Sequence, residues 1–201
     1  MTPTRVVDLT SGIRGAVAVV AVLNLAYFGI EFAVALSIGS VSLFADSIDF
    51  LEDTSINILI LFALGWSAYK RSLVGMLLAG ILLAPGLATV WMAWQKIGSP
   101  LPPAPVPLTL TGIGALAVNV CCAFILARFR KDRSSLIRAA FLSARNDSIG
   151  NVAIIAAGIV TAATLSVWPD LIVGLGIFVM NLHAAREVFL AAKAEHADAQ
   201  A

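Results

Sequence analysis

The nine residues ADSIDFLED, which begin at position 45, contain four acidic side chains. Carboxylates are hard oxygen donors, and groups of them inside a membrane bind cations or carry protons. At about 100° per residue of an α-helix, three of these acids and one downstream amide fall within a wedge of roughly 80°. The wedge contains Asp46, Asp49, Asp53 and Asn57. The pattern therefore predicts a helix with one acidic face, the name used below for this wedge.

A second polar group lies in the stretch SARNDSIGN. Ser143, Asp147 and Asn151 follow one another at intervals of four residues, so they share a helix face, and Asn146 is adjacent. Gly150 is on the same side, where it would let another helix approach closely. Oxygen donors on two helices can converge on one divalent cation, whose charge offsets the repulsion between carboxylates. When the metal leaves, the same carboxylates would take up protons, so metal and protons would compete for one site.

Both polar groups lie in a chain with the composition of a membrane protein. Of its 201 residues, 60% are hydrophobic and 12% are charged, whereas a soluble domain carries about 25% charged residues. The net charge of +1, without any Lys/Arg run among aromatic residues, gives no indication of a nucleic-acid partner. Six apolar stretches have the length of roughly 20 residues that crosses a bilayer. They cover approximately residues 14–36, 41–65, 73–95, 107–127, 137–164 and 169–190.

The distribution of Lys and Arg sets the orientation of these spans. With six spans both termini lie on one side of the membrane, and that side holds 11 of the 13 basic residues. The positive-inside rule then places both termini in the cytoplasm. We predict an all-α polytopic bundle of six transmembrane helices over residues 14–190. A cytoplasmic segment is expected over 1–13, and a short cytoplasmic tail without a soluble metal-binding domain over 191–201.

Several polar residues in the spans also have structural interpretations. Asp46 either contributes to the acidic face or caps the second helix near the membrane surface. Glu52 points away from the acidic face and is expected to form a salt bridge, with Arg145 as the candidate partner. Asn24 and Asn119 are expected to form hydrogen bonds between helices. The two adjacent cysteines are expected to act as small apolar residues rather than as a disulfide.

Three stretches resemble one family of transporters. GSVSLFADSIDFLED resembles the second-span signature of the cation diffusion facilitator family, in which GS-x-S/A-L-x-A-D leads to His or Asp and, four residues later, Asp. RAAFLSARNDSIGNVAIIAAGIV is similar to the fifth span of the family, normally His-x-x-x-Asp followed by Gly, and WPDLIVGLGIFVM is similar to the sixth. The resemblance covers roughly residues 14–190. It implies a homodimeric exporter that exchanges cytoplasmic Zn²⁺ or another divalent metal for protons by alternating access.

The resemblance also implies a metal site. It assigns one half-site to Asp49 and Asp53 and the other to Ser143 and Asp147, with Asn146 or Asn151 supplying a further contact. Ser143 stands where the family has His, so the site contains no imidazole. An all-oxygen site is harder than one with His, which weakens selectivity for Zn²⁺ and admits Co²⁺, Cd²⁺, Mn²⁺ or Fe²⁺. The complete candidate metal set is Asp46, Asp49, Asp53, Ser143, Asn146, Asp147 and Asn151.

Two other functions remain open at this point. The missing His leaves open a transport-inactive relative that assembles with an active partner, as an alternative to the exporter. A membrane-embedded, metal-dependent enzyme such as a phospholipid headgroup transferase is disfavoured, because Asp49 precedes Phe50 and Asp53 precedes Thr54 instead of the expected Asp-Gly and Ala-Arg elements. We therefore expect no catalytic residues and no resident cofactor. The expected partners are a transported divalent metal, foremost Zn²⁺, protons, the lipid bilayer of the inner cell membrane and a second copy of the chain.

Overall fold

The computed structural model describes residues 3–63, 68–129 and 135–198. Within those ranges the chain forms six α-helices and no strand, so the predicted all-α bundle is confirmed. The helices are α1 Pro3–Ile38, α2 Val41–Ala63, α3 Ala68–Gly98, α4 Pro105–Ala127, α5 Ser135–Thr164 and α6 Trp168–Asp198. The described ranges leave out the last two residues of the predicted second span. They also leave out residues 130–134, which make up most of the predicted basic loop. Helices α1 and α6 continue through residues that were predicted to form terminal segments.

The connections between helices follow from local sequence. Gly39 has a positive φ of 63°, which glycine adopts without steric cost, and it turns the chain between α1 and α2. Ser40 completes this turn, because its backbone N–H donates to Ala35 and its hydroxyl accepts from the N–H of Leu43. Between α3 and α4 the Pro-rich segment interrupts the helix, and α4 begins at Pro105, where the missing N–H costs nothing.

Helix α2 lies at the centre of the bundle. It contacts α1, α3, α5 and α6 extensively and α4 at a few positions, while α4 packs on α5 and α3 packs on α6. Large apolar side chains such as Phe124 (73% exposed) and Trp94 (70%) cover the outside, as expected for a surface that faces lipid. In the described residues, three helical segments are long and apolar enough to cross a membrane by themselves. They are Gly12–Ile38, Pro105–Ala127 and Ala140–Thr164.

A buried carboxylate of α6 caps the N-terminus of α2. Asp170 is 0% exposed. It accepts hydrogen bonds from Val41 N (2.8 Å) and Ser42 N (3.1 Å), and from the hydroxyl groups of Ser40 and Ser42 (2.6 Å each). The interpretation of Asp46 as the cap of α2 is therefore wrong, because Asp170 and Ser40 satisfy the first N–H groups of this helix.

Lys96, at the end of α3, strengthens the same corner of the bundle. Its ammonium group donates to the carbonyl oxygen of Gly39, in the turn that Asp170 holds. Burial lowers the pKa of this ammonium group, and the nearby Asp170 carboxylate opposes that shift. Three elements that are distant in sequence thus meet at the α1–α2 turn.

Two glycines of α6 provide a matched test of this packing. A Cβ at position 174 would lie 2.7 Å from the carbonyl carbon of Val41 and 2.8 Å from the nitrogen of Ser42, whereas a Cβ at position 176 would meet nothing within 4 Å. We expect Gly174→Ala to destabilise the protein by about 1–3 kcal/mol, because backbone atoms cannot move aside as side chains do. Gly176→Ala should leave stability unchanged. Thermal unfolding in detergent measures the difference, and equal midpoints for the two variants would contradict the α2–α6 contact.

Candidate functional site

The acidic face of α2 is directed toward α5, and the two helices run antiparallel. Ser143 Oγ donates to Asp53 Oδ1 at 2.9 Å, and Asn151 Nδ2 donates to Asp46 Oδ2 at 2.5 Å. Moving seven residues along α2 thus corresponds to moving eight residues back along α5. This register brings Asp49 and Asp147 to the same level, between the two hydrogen-bonded pairs.

A cavity of about 50 Å³ lies beside this α2–α5 contact. Its volume exceeds the roughly 10–15 Å³ that one water molecule needs, so it has room for a small ion and water. All the described residues that line it are polar or acidic. The lining residues are Asp49, Glu52, Asp53, Ser143, Asp147 and Asn181, from α2, α5 and α6.

Asp53 is the most thoroughly positioned carboxylate of the cavity. Besides the bond from Ser143, its second oxygen faces Asn24 Nδ2 of α1 at 3.4 Å. Cys122 of α4 donates to the Asn24 carbonyl oxygen at 3.6 Å, which fixes the orientation of this amide. Asn57 lies on the acidic face but donates to the backbone carbonyl of Asp53 at 2.7 Å rather than to a carboxylate. Donors from two neighbouring helices therefore hold one acid in the core of the bundle.

The carboxyl groups share a cavity without forming a coordination shell. In the described residues, no three His, Cys, Asp or Glu side chains are close enough together to hold one metal ion. Asp49, Glu52 and Asp147 are only partly buried. The side chains of the cavity would thus have to move inward to ligate a cation, and the space between them permits this movement.

The structure divides the seven predicted metal-site residues into three groups. Asp49, Asp53, Ser143 and Asp147 line the cavity. Asp46 and Asn151 are hydrogen-bonded to each other outside the cavity, and Asn119 of α4 donates to Asn151 Oδ1 at 3.0 Å. The expected interhelical hydrogen bonds of Asn24 and Asn119 are therefore confirmed.

Asn146 forms the third group, because its side chain is exposed. Arg145 Nη2 donates to the Asn146 side-chain oxygen at 3.3 Å, on the exposed side of α5. Arg145 was expected to form a salt bridge with Glu52, but its observed partner is Asn146. Glu52 itself lines the cavity.

Sequence reasoning missed three residues of the polar interior. Glu52 was assigned to a salt bridge, and Asn181 was not considered, although both line the cavity. Asn181 is the first polar side chain after Asp170 in the apolar stretch of α6, and this isolation was a usable signal. Glu31 on α1 was also not assigned a role, although the structure buries it completely beside the acidic face.

These features define a class of protein. A helical bundle with an apolar exterior has the build of an integral membrane protein, and carboxylates clustered in the interior of such a bundle commonly mark a path for ions or protons. Residues 17–194 match the cation efflux transmembrane domain family. The chain therefore belongs to the cation efflux family, known also as the cation diffusion facilitators, as the motifs of its second, fifth and sixth spans indicated.

Two curated relatives are similar to this chain. It is 27% identical over 159 residues to the zinc transporter ZitB of Yersinia pestis, an alignment that covers 73% of this chain and 51% of that protein. It is 28% identical over 138 residues to the zinc transporter ZitB of Yersinia pseudotuberculosis serotype I, which covers 63% and 44% respectively. The chain thus spans about half the length of the curated relatives it matches.

Proposed function

We propose that the protein exports a divalent metal cation from the cytoplasm and takes up protons in exchange, by alternating access. The observation that carries this proposal is the cavity between α2, α5 and α6, in which four carboxyl groups face one small space. Such a concentration of like charge in the core of a bundle is unfavourable unless cations occupy it. Membership of the cation efflux family supports the same direction of transport.

The carboxylates of the cavity supply both halves of the exchange. A divalent cation is attracted by Asp49, Asp53 and Asp147 together, and its arrival displaces protons because ligands must be deprotonated. Ser143 donates a hydrogen bond to one Asp53 oxygen and Asn24 donates to the other. These bonds would keep Asp53 oriented when the metal leaves. Metal release on one side and proton uptake by the same groups would then form one cycle.

The donor set points to a range of metals rather than to one. The described residues that line the cavity offer carboxylate, hydroxyl and amide oxygen, and no sulfur or imidazole. Oxygen ligands suit Mn²⁺ well and accept Zn²⁺, Co²⁺, Fe²⁺ and Cd²⁺. We propose Zn²⁺ as the first cargo to test, because both curated relatives are named zinc transporters.

The proposal extends to assembly and location. We propose that the protein works as a homodimer in the inner cell membrane, with both termini in the cytoplasm. The apolar exterior and the concentration of Lys and Arg on one predicted side support the membrane location and the orientation. The homodimer follows from the resemblance to the family, and cross-linking in native membranes would test it.

Transport in reconstituted vesicles tests the function. Purified protein is placed in vesicles with an imposed pH gradient, and uptake of Zn²⁺, Co²⁺, Cd²⁺, Mn²⁺ and Fe²⁺ is measured together with the internal pH. We expect metal movement in one direction to be accompanied by proton movement in the other. Protein that moves none of these metals would instead be a transport-inactive relative, and metal flux without a pH change would exclude proton exchange.

The pH dependence of metal binding provides a second prediction. We expect the affinity for Zn²⁺ in detergent to fall as the pH is lowered, because protons neutralise the carboxylates that the metal requires. A site in which neutral amide and hydroxyl oxygens dominate would instead show no pH dependence, since these groups do not bind protons in this range. Calorimetric titration at a series of pH values gives the dependence. An affinity that is independent of pH would contradict competition between metal and protons.

A further inference from the structure

Glu31 on α1 is a charged side chain without a hydrogen-bonding donor. It is 0% exposed, and in the described part of the chain no donor reaches either of its carboxylate oxygens. Isolated burial of an ionised carboxylate costs several kcal/mol even when a membrane protein adapts to it. The mechanism proposed for the cavity makes no use of this residue, which does not line it.

The packing of α1 against α2 places Glu31 opposite Asp46. Asn24 of α1 faces Asp53 of α2, and the two helices are antiparallel. The residue seven positions after Asn24 therefore lies opposite the residue seven positions before Asp53. This register places Glu31 and Asp46 opposite each other across the contact between α1 and α2. With both groups ionised, there is no hydrogen atom between them.

The described hydrogen bonds around this pair leave oxygen atoms that a cation can use. Among the described residues, Asp46 receives one hydrogen bond, from Asn151 Nδ2 to Oδ2, and none of them donates to its other oxygen. Tyr27, one helical turn before Glu31, donates its hydroxyl hydrogen to the carbonyl of Thr111 at 2.7 Å, so its oxygen can only accept. In the described part of the chain, two oxygen atoms of Glu31 and one of Asp46 thus have no hydrogen-bond donor, and Tyr27 lies on the same face of α1 as Glu31.

We propose that Glu31 and Asp46 form a second binding site for a divalent metal cation, separate from the cavity. It lies about 10 Å from the level of Asp53, since seven residues of an α-helix rise 1.5 Å each. It is displaced toward the α1–α2 turn, on the side predicted to face outward. A metal ion there would neutralise the two carboxylates and supply the partner that Glu31 lacks. This inference rests on the proposed function, because it makes the pair a second station for the exported metal.

Metal-binding stoichiometry tests the site without relying on transport. Purified protein is equilibrated with Co²⁺ by dialysis in detergent, and bound Co²⁺ is counted per chain. We expect about two ions for the unmodified chain and about one for Glu31→Gln, which keeps the shape of the side chain but removes its charge. Asp53→Asn should also bind about one, and the double variant Glu31→Gln/Asp53→Asn none.

A matched control uses another buried polar group without a partner. The Thr161 hydroxyl on α5 lies about 15 Å beyond Asn151 along the helix and also lacks a hydrogen bond in the described part of the chain. Thr161→Val should retain about two Co²⁺ ions. Thermal unfolding in the absence of metal shows that Glu31→Gln is folded, and the increase in midpoint on adding Co²⁺ should be smaller for this variant than for the unmodified chain.

Two results would overturn the second site. The unmodified chain could bind a single Co²⁺ ion that Glu31→Gln retains, in which case the pair holds only a shared proton. Alternatively, Glu31→Gln could keep two ions, which would place the second ion elsewhere. Failure of the second site can be distinguished from failure of the proposed function. A chain that binds two ions but moves no metal in vesicles would support the second site and refute export. A chain that transports metal but binds one ion would support export and refute the second site.

Discussion

Replacing Asp53 with alanine will abolish metal transport in reconstituted vesicles. Asp53 is the one carboxylate of the cavity that hydrogen bonds from both α1 and α5 position, and it lies at the centre of the polar interior. Loss of a charged ligand from a small site lowers metal affinity by at least about 10–100-fold, and flux should fall to the background of empty vesicles. Asp147→Ala is expected to act in the same way from the α5 side.

Two further variants distinguish loss of the site from loss of the fold. Asp53→Asn keeps the volume of the side chain, so it should lose transport while retaining the unfolding midpoint of the unmodified chain. Asn146→Ala should transport normally, because the structure exposes this side chain outside the cavity although the sequence made it a candidate ligand. Flux that survives both Asp53→Ala and Asp147→Ala would show that the metal site is elsewhere.

Introducing histidine at position 143 will raise the preference for Zn²⁺ over Mn²⁺ by at least about tenfold, or roughly 1.4 kcal/mol. Ser143 lines the cavity and donates to Asp53, so a side chain at this position already reaches the acidic face. An imidazole there would add a nitrogen ligand, which suits Zn²⁺, to a set that otherwise contains only oxygen. The ratio of the two metal affinities, measured by competition, gives the effect.

The control for this prediction is Ser143→Ala. Alanine removes the hydroxyl donor without adding a ligand, so the ratio of Zn²⁺ to Mn²⁺ affinity should remain that of the unmodified chain. Equal ratios for the histidine and alanine variants would mean that position 143 does not contribute to coordination. The sequence difference at Ser143 would then have no bearing on metal choice.

The parts of the fold that repeat along the chain were predictable from sequence. Apolar length identified the spans, and helical phase placed Asp49 and Asp53 on the side of α2 that faces α5. The isolated polarity of Asn24 and Asn119 marked them as interhelical partners. Each of these features depends on spacing within a single helix, which the sequence displays directly.

Contacts that depend on helix register could not be predicted in this way. The cap of α2 comes from Asp170, about 130 positions away, so reading the residues near the helix start led to Asp46 instead. Glu52 was expected to point away from the site because its helical angle differs by about 100° from that of Asp53. Helix α6 packs on that side and supplies Asn181, so the cavity lies between three helices rather than two.

The Asp170 cap also determines which helices can separate. It ties α6 to the start of α2, and the close approach of Gly174 to Val41 makes the same junction too tight for sliding. Helices α4 and α5 are similarly interlocked, since a Cβ at position 158 would strike Thr109. The close contacts thus join α2 to α6 and α4 to α5, and the cavity lies where these two pairs of helices meet. A rotation of one pair relative to the other would open the cavity while both close contacts stay intact.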